Sequence, residues 1–465
     1  MQEELQYKKM IETPTKKLVL ILGIPTIISM LVTAIYNIAD TFFVSQLGKS
    51  ASSAVGVVFS LMAIVQAIGF TFGMGSGSLI SSKLGEKKND EAQKIGSSSF
   101  YIAIGLGILL STFSFIFIKP LLNFLGATET NYSYAYNYAV YIILGYPVMI
   151  GSFVLNNILR AEGKSKLSMI GLTLGGVLNI GLDPLLIYGF NMGIAGAAVA
   201  TLISQVISFL VLLAMFIFKK SIIRLSIKDI TSNINVYLDV IKVGFPSLCR
   251  QGLASIATIL LNRQAGDIGG DAALSAISIV SKVFMVIFSI SLGIGQGYQP
   301  VCGYNYFAKK YDRVKEAMMF TFVCGTALMT IMSIFFSIFA NGILSFFIDD
   351  EEVIEIGKTA LRFQCISMPF LSLNVICNMT YQSIRSKLKA TILSCCRQGL
   401  FFIPLVFILP SLLQLTGVEL IQAMADFLTF LFTIPFFISL YKDINKKIEE
   451  QKKKDEVQSL YFNFE

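Results

Sequence analysis

The chain has 465 residues, of which 54% are hydrophobic and only 14% charged, with a mean hydropathy of +0.70 and a formal net charge of +8. A soluble core cannot hide that much apolar surface, so lipid is the solvent for most of the chain. The absence of histidine, and seven cysteines without a CxxC pair, argue against zinc, haem and Ser-His-Asp chemistry.

Residues 1–14 form a polar tail whose opening, MQEEL, lacks the basic start of a removable signal. Apolar runs long enough to cross a hydrocarbon core of about 30 Å then fall near 15–46, 51–83, 91–119, 131–160, 166–189 and 193–218. A polar linker occupies 219–235, and a second series follows near 236–266, 271–306, 311–341, 352–384, 388–411 and 416–441, ending in a basic tail over 442–465. The predicted fold is an all-α polytopic membrane protein with twelve transmembrane helices in two six-helix lobes, 15–218 and 236–441. Lysine and arginine crowd the tails and alternate loops, leaving mainly Lys49, Lys119, Arg263 and Lys358 for the others. That asymmetry places both termini in the cytoplasm of a multi-pass protein of the cell membrane. Basic loops beside anionic lipid account for the net charge without a nucleic-acid partner.

The halves repeat with a period near 221 residues. IlePro at 24–25 answers PhePro at 245–246, GMGSG at 73–77 answers GIGQG at 293–297, and Pro147 with Asn156 answers Pro369 with Asn378. Each half makes an even number of crossings, so the lobes are parallel repeats related by a pseudo-two-fold axis along the membrane normal. The glycine runs lie inside apolar helices with no preceding strand, which favours close helix packing over a phosphate cradle. GlyLysSer at 163–165 lacks the upstream glycine of a P-loop, so an ion gradient is the remaining energy source.

Charges at membrane depth carry the functional signal, because each costs at least about 2.5–3.5 kcal/mol to insert and so normally works on an ion or substrate. Asp40 and Asp183 both lie in the outer half by residue count, Asn179 shares a face with Asp183, and Thr201 reaches a similar level. Two carboxylates, an amide and a hydroxyl suit Na⁺, or a pair of acids sharing a proton. The second half carries deep bases instead, Arg250, Lys282, Arg362 and Arg397, with Asp426 as its clearest deep acid, whereas the first half shows no base of similar depth. Asp426 neutralises one or two of these bases, or they form a polar wall of a substrate cleft. Tyr36, Asn37, Phe153, Asn156 and Met285 complete the cleft candidates, in part because pliable aromatic and Met surfaces suit varied ligands. Pro25, lacking its N–H, gives the first span a place to bend.

Together, IleProThrIle and TyrAsnIleAlaAspThrPhePheVal in the first span, the AEGKSK turn, AsnIleGlyLeuAspPro and GlyIleAlaGlyAlaAlaValAlaThr resemble the multidrug and toxic compound extrusion (MATE) family over residues 14–441. The resemblance implies a V-shaped pair of lobes exporting varied, often cationic and aromatic compounds in exchange for Na⁺ or H⁺, without a further cofactor and as a monomer. One branch of the family places the cation on the positions that are Asp40, Asn179, Asp183 and Thr201 here. Another keeps carboxylates in spans seven and ten, where this chain has Arg250 and Gln251 and no acid in the apolar body of span ten, which favours the DinF-like or MepA-like branch. A flippase for an anionic lipid-linked precursor, held by the second-half bases, is the alternative. A membrane-embedded enzyme is disfavoured by the lack of a nucleophile and base pairing.

Overall fold

The computed structural model describes residues 2–462, and among them the chain is helical with no strand. The ends of both terminal tails, Met1 and 463–465, lie outside the described residues. Ten helical units are long and apolar enough to cross a membrane, counting as one the pair Tyr132–Leu144 and Tyr146–Ala161, which is bent by 47°. Two units are too long for a single crossing: Ile234–Phe307, with 74 residues, would run about 110 Å if straight. Its helical geometry breaks at Gly270 (φ 61°, ψ −155°), and the last unit breaks likewise at Gln414 (φ 52°, ψ −129°). Each therefore supplies two crossings, giving twelve. The first is Thr15–Ser45, continuous through Pro25, and the second Ser50–Gly85; Ser165–Gly189 and Gly193–Ile217 are the fifth and sixth, and Glu351–Ser383 is the tenth.

The repeat is written into the backbone as well as the sequence. Positive-φ positions recur 222 residues apart, Gly48 with Gly270, Lys87 with Lys309 and Gly163 with Arg385. The last four of these close their helices with the same reverse bond, each from backbone N–H to carbonyl: Lys88 to Lys83 (2.9 Å), Lys164 to Leu159 (2.9 Å), Lys310 to Asn305 (2.8 Å) and Ser386 to Tyr381 (2.8 Å). This is the left-handed cap that satisfies the last carbonyls of a helix. Lysine and arginine take three of these αL positions, where their heads stay near the basic face.

The glycine runs set how the lobes meet. A Cβ on Gly75 of the second span would collide with the Val240 carbonyl of the seventh, and one on Gly244 would collide with the Thr71 carbonyl in return. Gly297 lies against Gly23, and a Cβ on Gly293 would sit 2.7 Å from the Ile27 Cα. The runs are thus packing surfaces, as their helical setting predicts, and specifically lobe-to-lobe ones. All these contacts lie in the half nearer the termini. One apolar core fills the first lobe and continues across this seam, whereas the other half of the second lobe has a separate core around Ala276, Leu361 and Ile421. The lobes therefore join at the terminal face and part toward the far face.

Two segments brace the terminal face. Gln2–Glu12 is a short helix that ties to the first lobe through Gln6 Nε2 donating to the Glu162 carbonyl (2.8 Å) and to the second through Asn305 and Arg313 donating to the Met10 and Thr13 carbonyls (3.2 and 2.6 Å). The linker runs along the third span, where the Ser97 hydroxyl donates to the Arg224 carbonyl (2.9 Å) and Thr231 N–H to Ser98 Oγ (3.0 Å). Glu162, fully buried, accepts from the Ile222 and Ile223 N–H groups, both at 2.9 Å, and so pins the start of that linker.

Candidate functional site

The first-lobe residues expected to act together do meet. Asn179 reaches Asp183 because four residues make one helical turn, and its amide nitrogen donates at 3.3 Å both to Asp183 Oδ1 and to Thr201 Oγ1 of the sixth span. All three are buried, Asp183 completely. Asp40, half-buried on the first span, enters through a residue that the sequence reading missed: the Tyr138 hydroxyl donates to Asp40 Oδ2 at 3.3 Å, and the Tyr138 oxygen also lies within hydrogen-bonding reach of Thr201. Tyr138 is fully buried on the fourth span. It stands in the tyrosine-rich run YSYAYNYAVY, where composition does not single it out. Its depth would have, since it falls seven residues in from the far end of its span, level with the two acids.

What the cage lacks is donors. Among the described residues, Asp40 Oδ1, Asn179 Oδ1 and Asp183 Oδ2 are buried with no hydrogen-bond partner, and Ser204 Oγ on the sixth span is unpartnered too. Buried acceptors left unmade are costly, and two carboxylates on facing helices repel when both are ionised. The first and fifth spans can approach this closely because Gly176 has no side chain; a Cβ there would strike Val32 and crowd the Tyr36 ring. The donor set, hard oxygens only, is one that a small cation or a proton satisfies.

The second lobe is wired differently. Arg397 donates from Nε to Asp426 Oδ1 at 2.7 Å, and Asp426 accepts further from Gln422 Nε2 (2.9 Å) and Ser367 Oγ (3.4 Å). The guanidinium also stands over the Phe284 and Phe288 rings, at 5.1 and 4.5 Å. Of the bases expected near Asp426, only Arg397 is its partner. Arg250 donates to Ser247 Oγ (3.4 Å) and keeps a buried, unpartnered Nε, while Lys282 makes no ion pair among the described residues. Glu419, one further buried acid that the sequence reading did not single out, lies seven residues before Asp426 and so on the same helix face.

The remaining cleft candidates separate. Tyr36 and Asn37 are half-buried beside Asp40, with the Asn37 amide donating to the Thr33 carbonyl (2.8 Å), and Met285 is half-buried on the eighth span. Phe153 packs on Phe70 with ring centroids 4.5 Å apart. Asn156 does not present its amide to the cleft: it is buried, donating to the Ser168 carbonyl (3.1 Å) and Oγ (2.6 Å), and ties the fourth span to the fifth. Asn378 does the same in the second lobe, with Ala390 O and Ser394 Oγ both at 2.7 Å. The first lobe also proves to contain a buried base, Arg160, which sequence alone hides because it adjoins an ordinary basic turn.

Two six-helix lobes, sealed at one face, parted at the other and carrying an oxygen cage in one lobe only, define a membrane transporter of the rocking type. The chain belongs to the MatE family, whose model matches it twice, at residues 25–185 and 246–408, once in each lobe. Among curated relatives, the multidrug export protein MepA of Staphylococcus aureus (strain NCTC 8325 / PS 47) is 28% identical over 418 residues, covering 90% of this chain and 91% of MepA. MepA of Staphylococcus saprophyticus is 27% identical over 403 residues, covering 85% and 87%. Among solved structures, an outward-facing multidrug resistance MATE family transporter of the MOP superfamily superposes with a TM-score of 0.90 at 24% identity, over 94% of this chain and 98% of that one. A MOP superfamily transporter from Pyrococcus furiosus gives 0.88 at 24% identity with the same coverage.

Proposed function

We propose that the protein is a secondary active exporter of chemically varied organic compounds, driven by exchange with Na⁺ or H⁺, and that Asp40, Asn179, Asp183 and Thr201 receive the coupling cation. The observation that carries this reading is the set of unpartnered acceptor oxygens on Asp40, Asn179 and Asp183. Curated relatives of similar length over nine-tenths of the chain are multidrug export proteins, which supports the same reading. The basic terminal face is cytoplasmic, so the form with parted lobes opens outward, in the cell membrane, and a single chain holds both lobes.

In this form, a cation entering from the far side joins the acidic cage, relieves the repulsion between Asp40 and Asp183 and draws the first span toward the fifth and sixth. The drug cavity of the first lobe shrinks and drug leaves outward. The lobes then rock about the glycine seam, the terminal face opens, and drug reloads as the cation departs. Drug and cation compete through the shape of one lobe, and reciprocity requires each to weaken the binding of the other. The Arg397–Asp426 pair is internally neutral and leaves the second lobe as a more rigid wall.

Efflux of a fluorescent organic cation from proteoliposomes, with Na⁺ and pH gradients imposed separately, tests the reading. Dye movement is expected to follow one or both gradients and to stop when they are collapsed. Dye movement indifferent to both gradients refutes the exchange.

A further inference from the structure

The seam between the lobes contains a charge that no acid among the described residues neutralises. Arg160, at the terminal end of the fourth span, is only 4% exposed. Its guanidinium donates to neutral groups alone: to Gln296 Oε1 of the opposite lobe, to Asn157 Oδ1 of its own span and, weakly, to Met74 Sδ at 3.7 Å. Among the described residues it forms no ion pair. The nearest acid along the chain, Glu162, is committed elsewhere, to Lys164 (3.5 Å), the Ser221 hydroxyl and the Ile222 and Ile223 N–H groups. Neutral oxygens satisfy the hydrogen-bond geometry of a guanidinium but leave its charge uncompensated, and an uncompensated buried charge is strongly destabilising.

The same place holds a second unmet demand of the same sign. Gln296 is 1% exposed and its Nε2 is a buried donor without a partner among the described residues. Both residues line a small cavity of about 20 Å³ between the lobes, with Ser78, Asn157, Gln299 and Met74 on its walls. That is room for one water-sized particle, too little for a phosphate or a carboxylate-bearing molecule. A water would accept from Gln296 yet leave the arginine charge unmatched.

We infer that this cavity is a site for a single monatomic anion, chloride under ordinary conditions, held by the Arg160 guanidinium, Gln296 Nε2 and the Ser78 hydroxyl. Its ligands come from both lobes, so the anion binds only while the terminal face is sealed. It therefore favours the form that is open at the far face, at a location separate from the cation cage.

The test is to exchange sodium gluconate for sodium chloride at constant ionic strength, Na⁺ concentration and pH, and to follow the melting midpoint of the purified transporter in detergent. The wild type is expected to show a saturable rise of about 1–3 °C at tenfold excess over the dissociation constant, and bromide is expected to give an anomalous diffraction peak between Arg160 and Gln296. In Gln296→Leu the chloride-dependent shift should disappear; Ser78→Ala, a milder change at a less constrained position, should reduce it even if the first variant does not fold. A wild type insensitive to chloride overturns the site, as does a shift of the same size in wild type and Ser78→Ala, or a cavity that bromide leaves empty.

Discussion

The two lobes follow one repeated pattern and share their helix caps and even an inter-helix asparagine, yet they treat acids at membrane depth in opposite ways. In the first, Asp40 and Asp183 have no basic partner among the described residues, and each keeps a buried, unpartnered oxygen in the cage. In the second, Asp426 takes three donors and a full opposite charge. An acid without a base is a group waiting for a cation; an acid with one is closed to it. The difference teaches that one repeated scaffold accepts either arrangement, and that a few side chains decide which lobe keeps an open set of acceptor oxygens.

The strongest way to break this comparison is to remove the free charges. Asp40→Asn and Asp183→Asn are each expected to reduce gradient-driven efflux to background while the protein still reaches the membrane in near-normal amount. Coupled efflux close to wild type in both variants would remove the cage from the mechanism. The corresponding change in the second lobe should act on stability instead. Arg397→Ala leaves Asp426 buried and unpaired, which costs about 3–5 kcal/mol, whereas Arg397→Ala combined with Asp426→Asn should cost clearly less than the two single changes added. Thermal melts of the three variants measure this, and strict additivity would show that Arg397 faces something other than Asp426.

Much of this was legible in the sequence, for a physical reason that differs from residue to residue. The twelve spans follow from hydropathy, because the bilayer enforces one length and internal backbone bonding. Asp40, Asn179, Asp183 and Thr201 could be grouped because a carboxylate at depth is conspicuous and helical rise converts residue counts into depth. Tyr138 escaped because a tyrosine in an apolar span is ordinary and only its neighbours make it functional. By sequence Asn156 reads as a cleft residue, because a polar residue in a span signals either a ligand or a helix tie; its donation to Ser168 decides for the tie. Arg160 and Gln296 were hidden for another reason, since their meeting depends on how one lobe docks against the other.

Where the lobes agree, matched substitutions should have matched effects. Asn156→Ala and Asn378→Ala each strip the amide from a carbonyl and a hydroxyl of the next span, leaving a buried acceptor unsatisfied at about 1–3 kcal/mol. Melting midpoints should fall by similar amounts, with transport per folded molecule retained in both. A loss of transport in Asn156→Ala alone, at unchanged stability, would return that residue to the substrate path.

The smallest expected effect falls on Tyr138→Phe. The ring stays, so the packing of a fully buried side chain is preserved, and only one hydroxyl is lost from between Asp40 and Thr201. A hydrogen bond to a charged group contributes about 1.5–3 kcal/mol when well formed; at 3.3 Å the Asp40 contact is long, so the lower end applies, or about tenfold in affinity. The direction depends on the cage's occupant. If the hydroxyl holds Asp40 in the ionised form that takes Na⁺, its removal weakens Na⁺ binding and makes protonation easier. The variant should then need about tenfold more Na⁺ for half-maximal dye release at fixed pH, while proton-driven efflux extends to higher pH. Equal Na⁺ and pH dependence in Tyr138→Phe and wild type would show that Tyr138 only fills space, and that the cage is completed by Asp40, Asn179, Asp183 and Thr201 alone.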